Sequence, residues 1–412
     1  MQNPNRRQVL TAAAGLALAF PAGRSRAQDV PSIRVGVLTD LAGTYSDNTG
    51  RGSVTATRLA VEDFLKTSPG FGVEVVFADF QNSSDIGATV ARQWLDRDGV
   101  DLIVDVPSSP LAISVAGLVK DRDKAAIITG AGTTDLTGKF CGPNHLHWVF
   151  DTWATGTATC QAFINRGGKS WYFVGADYSY GHALVDGAAA QLARLGGTVL
   201  GKSFAPFPGT TDFSSYLLEA QASHADVIAF ANAGSDMVNC LKQATEFELR
   251  QPPTHLAGLG LQLADVRAAG LDITQGMAVA EAFYWDLNDG TRAFAKRFGA
   301  AMNGHMPGMI PAGDYSATWN YLQAVKAVGI NQAKASGRAV IEQMKRVPTS
   351  DPLFEPATIR ADGRMINTIY LFQIKSPAES HSSWDCYTLL QSVPGEQAYR
   401  ALSAGGCPMV RT

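Results

Sequence analysis

The chain has little that would support metal or nucleophilic chemistry. Five cysteines (Cys141, Cys160, Cys240, Cys386, Cys407) are spread over 412 residues, none in a CxxC or other metal spacing. No GxSxG, HExxH or GxxxxGK[ST] occurs. Charged residues make up 17% of the chain and the formal net charge is -3, so a nucleic-acid surface is excluded as the main business of the protein. The one apolar run near the N-terminus, Leu10 to Phe20, is too short to span a bilayer, and no second span follows.

What is present at the N-terminus reads as an export signal. A basic "NRRQVL" precedes the apolar run, followed by Pro21 and a small-residue cleavage site "SRA" ending at Ala27. Paired Arg6-Arg7, with Arg24 and Arg26 before the cut, look like a twin-arginine signal over residues 1–27, and Sec export is the alternative route. No cysteine lies near the cut, so a lipid anchor is not expected, and the mature chain is expected in the periplasm. In that oxidising compartment Cys141 in "KFCGPN" and Cys407 in "AGGCPM", both in Gly/Pro-flanked irregular stretches, are the expected disulfide; Cys160 and Cys240 lie on helical patterns and read as core.

From Ile33 onward short apolar strands alternate with amphipathic helices. Strands are expected at 33–38, 73–78, 101–106, 125–128, 171–174, 198–204, 226–231 and 255–257. This pattern predicts parallel sheets covered on both faces, arranged as two similar α/β lobes. An extended run, 275–289, then three helices and a hairpin about Asp362-Gly363 complete the chain. The economical arrangement is two Rossmann-like lobes, 28–150 with 277–351 and 151–276 with 352–412, joined by a three-strand hinge.

In open parallel sheets ligands bind beyond the carboxyl ends of the strands. Those loops here are "TDLAGTYSDNTGRG", "DVPSSP", "ITGAGTTD", "GADYSYGH", "FANAGSD" and "AGLGLQ". They are rich in Gly, Ser, Thr, Asn and Tyr, and offer neutral donors suited to a carboxylate or another polar group of a small molecule. Tyr178 and Tyr180, between a strand and a helix, are candidate ligand walls, with half-buried packing or local capping by Asp177 and Ser179 as the plain alternative. Arg51 sits in a glycine loop and is a candidate anion contact, though a solvated arginine is the ordinary reading. "GLGLQL" lacks the third glycine of a dinucleotide fingerprint, and His145 and His147 have no further ligand beside them, so they read as strand residues flanking a crossover. Neither cofactor nor enzymatic activity is expected.

The stretches "IRVGVLTDLAGTYSDNTGRGSVTATRLAVEDF", "YGHALVDGAAAQLARLGGTVLGKSFAPFPGTTDFSSYLLEAQASHADVIAFANAG" and "YSATWNYLQAV" resemble the type I periplasmic solute-binding proteins of ABC transporters, in the branched-chain amino acid or amide group. The resemblance covers nearly all of 33–410. It implies a monomer whose lobes close on a small-molecule solute and deliver it to ABC permease subunits in the inner membrane. By position it implies ligand contacts at Tyr45, Ser109, Gly132, Thr133, Tyr180, Asn232 and Ala233, with Gln262 nearest to where an acidic residue would hold an amino group. An acid to hold an amino group is not evident near "GLGLQLAD", so aromatic or small organic carboxylates rank above branched-chain amino acids. "YWDLND", "TTDFSSYLLEAQ" and "ANAG" resemble a subgroup that includes proteins for aromatic-acid uptake. Trp285 is a candidate cleft residue, and Trp148 is expected in the hinge core. A ligand sensor for a membrane receptor and, more remotely, a secreted hydrolase are the alternative functions.

Overall fold

The computed structural model describes residues 32–251 and 254–410. The export signal, 1–27, lies outside the described residues. Fourteen strands follow in chain order among them: β1 Ser32–Thr39, β2 Gly72–Asp79, β3 Leu102–Asp105, β4 Ala125–Ile128, β5 His145–His147, β6 Ser170–Asp177, β7 Thr198–Pro206, β8 Val227–Ala231, β9 His255–Gly258, β10 Ala278–Glu281, β11 Thr358–Ile359, β12 Met365–Ile366, β13 Ile369–Ile374 and β14 Tyr387–Val393. The first lobe is built on a parallel sheet ordered β2-β1-β3-β4-β5, and the second on a parallel sheet ordered β7-β6-β8-β9. This is the expected pair of α/β lobes.

Strands β3, β4 and β8 are buried along their whole length, which is why they read as unbroken apolar runs rather than alternating ones. Helices pack in pairs, Gly50–Thr67 against Met309–Val328 and Ser84–Asp96 against Ser109–Asp121 in the first lobe, and Thr152–Asn165 against Ser179–Leu195 in the second. A third sheet, antiparallel and ordered β10-β13-β14, places Val279, Phe372 and Tyr387 in the apolar core that also holds Val174 and Phe230. The hairpin about Asp362-Gly363 is present as β11 paired with β12.

The first crossing between lobes, 148–151, is held from several sides. Trp148 is fully buried and its indole N–H donates to Ser316 Oγ at 3.1 Å. Val149 has φ +45, a costly conformation for a β-branched residue, and its carbonyl accepts from Asn367 Nδ2 at 2.9 Å and Tyr399 Oη at 2.6 Å. A Cβ on Gly313 would lie 2.7 Å from the Val149 side chain, so that helix position must be glycine. Asp151 then caps helix Thr152–Asn165 by accepting from Ala154 N at 2.9 Å.

His145 and His147 form β5, each with Nε2 against a backbone oxygen, of Leu136 and Ala131 respectively. Burial lowers both pKa values, that of His145 to about 4, so both are neutral packing residues of the sheet. Cys141 and Cys407 form a disulfide with Cα atoms 5.6 Å apart, while Cys160, Cys240 and Cys386 are free and buried. Arg400 in the same tail donates to Thr134 O at 3.2 Å, so the tail beyond β14 is fastened to the first-lobe loop 134–141. Among the described residues no helix is long and apolar enough to cross a membrane.

Candidate functional site

The loop after β1 is shaped by Asp40. Its buried carboxylate accepts from the backbone N–H groups of Gly43 at 2.6 Å and Tyr45 at 3.0 Å, which turns Tyr45 over the end of the sheet. Across from it the end of β6 leads into helix Ser179–Leu195. A Cβ on Gly181 would stand 2.1 Å from Ala176 O, so only glycine lets the helix start this tightly against its strand. That turn carries Tyr178 and Tyr180. Asp177 does not cap the helix; it accepts from His182 Nε2 at 2.8 Å, and Ser179 Oγ has no partner.

The two lobes meet through these loops. Tyr45 and Tyr178 share a hydrogen bond between their phenolic oxygens. Phe207, in the loop after β7, stacks on Tyr178 at 4.3 Å and lies 5.9 Å from Tyr45, and Tyr180 is 6.0 Å from Tyr178. Burial raises the pKa of all three tyrosines, so each phenol is a neutral donor. Around this box, Asn48, Thr49, Pro107, Gly130, Phe150 and Ile310 from the first lobe and its crossing face Tyr178, Tyr180, Ala233 and Gln262 from the second. The space left among them is about 10 Å³, the room of a single water molecule.

Two further contacts span the cleft. Ser235 N donates to Thr44 O at 3.0 Å, beside Gly234, whose φ is +61 and where a Cβ would be 2.0 Å from the same carbonyl. Asn48 Nδ2 donates to Asp265 Oδ1 at 2.9 Å. Asp265 also accepts from Gln262 N at 3.0 Å, yet burial outweighs both donors and its pKa is pushed up to about 7. Burial likewise raises Asp236, in the first turn of helix Ser235–Glu246, to about 6.

The residues expected from sequence fall into three groups. Tyr45, Tyr178, Tyr180, Ala233 and Gln262 come together around the small cavity. Gly132 stands behind it against the Tyr180 ring, and Ser109 lies two residues after Pro107, which lines it. Ser109 Oγ is buried with no hydrogen-bond partner, and a Cβ on Gly132 would be 2.8 Å from the Tyr180 ring, so the glycine makes room for that ring. The others point elsewhere. Thr133 Oγ1 is used locally, accepting from Asp135 N at 3.3 Å as the cap of a short turn. Asn232 directs its amide nitrogen at Cys240 Sγ, 3.1 Å away in the lobe core, leaving Oδ1 buried and unpartnered. Trp285 packs at the lobe crossing and donates to Trp384 O at 2.8 Å, outside the cavity. Arg51 lines a separate, larger groove on the outer side of Asn48 and Gln262.

Sequence reading missed Phe150, Phe207 and Ile310, which lie outside the glycine-rich strand ends, and passed over the acid that ends "GLGLQLAD". Asp265 is that acid. It is 2% exposed and folded back onto the Gln262 backbone, so it sits behind the cavity wall rather than in it. Asn48, Thr49, Pro107 and Gly130 were within the quoted loops but carried no individual signal. Among the described residues no cluster of three or more His, Cys, Asp or Glu could hold a metal ion.

The site is therefore a neutral, aromatic, hydrogen-bonding pocket at the strand ends of two lobes. Among curated proteins none matches the chain. Among solved structures, a periplasmic binding protein from Burkholderia mallei is 38% identical, with a TM-score of 0.88, over 93% of this chain and 100% of its own. A branched chain amino acid ABC transporter periplasmic ligand-binding protein from Burkholderia xenovorans is also 38% identical, with a TM-score of 0.81, over 92% of this chain and 99% of its own. A solute binding protein of an ABC transporter from R. palustris, solved in complex with benzoate, shares the fold at 22% identity and a TM-score of 0.77, over 88% of this chain and 97% of its own. With residues 32–380 matching the sequence pattern described as "Periplasmic binding protein", and with two relatives more than a third identical over nearly their whole lengths, the chain belongs to the periplasmic binding protein family.

Proposed function

We propose that this protein captures a small organic carboxylate, aromatic acids ahead of aliphatic amino acids, and delivers it as a monomer to the permease of an ABC importer without chemically altering it. The observation that carries this reading is the aromatic box of Tyr45, Tyr178, Tyr180 and Phe207, contributed by both lobes and packed together across the cleft around room for one water, so that the rings must part to take a solute between them. Flat rings from opposite lobes suit a flat solute, and neutral phenols suit its charged end. The buried, unpartnered Ser109 Oγ, at the start of helix Ser109–Asp121 and two residues after the cavity-lining Pro107, is a further neutral donor. Asp265 is committed to Asn48 and Gln262, and Asp236, near enough to Tyr45 and Tyr178 to raise their pKa values, does not line the cavity. The benzoate complex of the R. palustris protein is a precedent for an aromatic acid in this fold.

Closure follows if the solute binds the closed form better than the open one, and turning a mostly open population into a mostly closed one takes about 5.5 kcal/mol of differential affinity. The first boundary expected from sequence, after residue 150, serves as one crossing on which the lobes turn; the other two, expected after residues 276 and 351, fall instead between β10 and helix Asp289–Ala301 and between β12 and β13, because β10 packs in the second-lobe core and Arg364 pairs beside His147 of the first. Small-angle scattering with and without benzoate tests closure; a radius of gyration unchanged at saturation contradicts it. Export by the twin-arginine route belongs to the same reading, and Lys at positions 6 and 7 is expected to strand the precursor in the cytoplasm.

A further inference from the structure

Beside the aromatic box the lobes leave a second, larger space. This groove, about 680 Å³, shares Asn48, Thr49 and Gln262 with the small cavity, so the two spaces adjoin. Each lobe contributes one exposed arginine to it, Arg51 from the first turn of helix Gly50–Thr67 and Arg267 from helix Leu263–Ala269.

Neither guanidinium has an ion-pair partner among the described residues, unlike Arg34 with Glu74, Arg122 with Asp96 and Arg297 with Asp63. Arg267 is instead held over the ring of Trp384, 5.4 Å from its centroid, and the other side of that indole is approached by His305 at 5.4 Å. A guanidinium stacked on an indole keeps its edge N–H groups free for a planar oxyanion. The acids nearby do not neutralise the pair. Asp47 is a single exposed carboxylate on the rim, and Asp265 is buried and bonded to Asn48.

We propose that this groove binds a second anionic group of the solute between Arg51 and Arg267, so that the protein prefers an aromatic acid bearing a second carboxylate over the matching monocarboxylate. The proposal rests on the reading of the aromatic box as the solute site. Because the two arginines come from different lobes, an anion between them also favours the closed state.

The test is calorimetric titration of the mature protein with benzoate and with terephthalate, the same ring carrying a second carboxylate opposite the first. Wild type is expected to bind terephthalate about 10-fold more tightly than benzoate, the scale of one charge-assisted contact with a partly exposed guanidinium pair. The double variant Arg51→Gln, Arg267→Gln is expected to bring that ratio to about one while leaving benzoate affinity as it was. Both side chains are exposed, and an unchanged melting temperature confirms that the variant is folded. Equal binding of the two acids by wild type, or a preference that survives in the double variant, overturns the groove assignment and leaves the aromatic box untouched. A wild type that binds neither acid overturns both. Retention of terephthalate affinity in Tyr180→Ala, with benzoate affinity lost, overturns the single-solute reading, since the groove is then an independent site.

Discussion

Tyr45 of the first lobe and Tyr178 of the second are hydrogen-bonded to each other through their phenolic oxygens, 133 residues apart in the chain. The bond exists only while the lobes are together, and Phe207 stacked on Tyr178 holds that ring in place. Removing the hydroxyl in Tyr178→Phe keeps the ring and loses the bond. The expected result is about a 2- to 12-fold rise in the solute Kd, from a net hydrogen-bond contribution of about 0.5 to 1.5 kcal/mol, with no change in melting temperature of the unliganded protein beyond about 2 °C.

Asp265 makes closure sensitive to pH. Burial raises its carboxyl to about 7, against an ordinary value of 3.8, and the Asn48 and Gln262 donors only partly oppose this. Opening is expected to return Asp265 to water, which outweighs the lost Asn48 donor and brings the group toward its ordinary value. Closure therefore takes up protons between these values and is favoured at the acid end, weakening as pH rises toward 7. Solute affinity is expected to be at least about threefold higher at pH 5.5 than at pH 7.5, within the limit of about tenfold per pH unit that one proton imposes. Asp265→Asn is expected to flatten most of this slope, with Asp236 supplying the remainder. Titrations at the two pH values check both.

A second pair of carboxyls bears on stability rather than binding. Asp105, at the end of β3 with φ +77, and Asp314, on helix Met309–Val328, are both fully buried. Asp314 accepts from Thr129 Oγ1, but burial raises its pKa to about 7, and burial also raises Asp105 well above its ordinary value, the charge of Asp314 being the second cause. The fold is thus favoured while these groups are protonated and loses stability as pH rises through 7. Asp314→Asn keeps an acceptor for Thr129 and removes one of two like charges. It is expected to stabilise the protein by about 1 to 3 kcal/mol at pH 8 and by little at pH 4, as read from denaturant unfolding.

The disulfide between Cys141 and Cys407 closes a long loop, 266 residues of separation, and anchors the tail that carries Arg400. Its loss in Cys141→Ser with Cys407→Ser is expected to cost about 2 to 4 kcal/mol. Peptide mapping without reduction is expected to recover the two cysteines in one linked fragment.

The lobes were legible because their central strands are buried on both faces. Leu102 to Val104 and Val227 to Ala231 are apolar throughout, and parallel sheets leave few other readings of such runs. β5 was harder, since its three residues include two histidines whose burial depends on carbonyls of Ala131 and Leu136. β14 carries mostly exposed residues and gives no periodic signal. At the site, the tyrosines were legible from their place at a strand's carboxyl end. Phe207 and Asp265 were not, because what makes them matter is the approach of one lobe to the other, and nothing local in "FAPFPG" or "QLAD" encodes that distance.

The central claim is that the box formed by Tyr45, Tyr178, Tyr180 and Phe207 holds an aromatic carboxylate. Calorimetric titration of benzoate and leucine into wild type and Tyr180→Ala tests it most directly. The account predicts that benzoate binds wild type more tightly than leucine does, and that the variant, still folded, loses about 1 to 3 kcal/mol of benzoate affinity, the scale of a buried aromatic contact. Tight binding of leucine, unchanged by Tyr180→Ala, with no heat from benzoate, would contradict it.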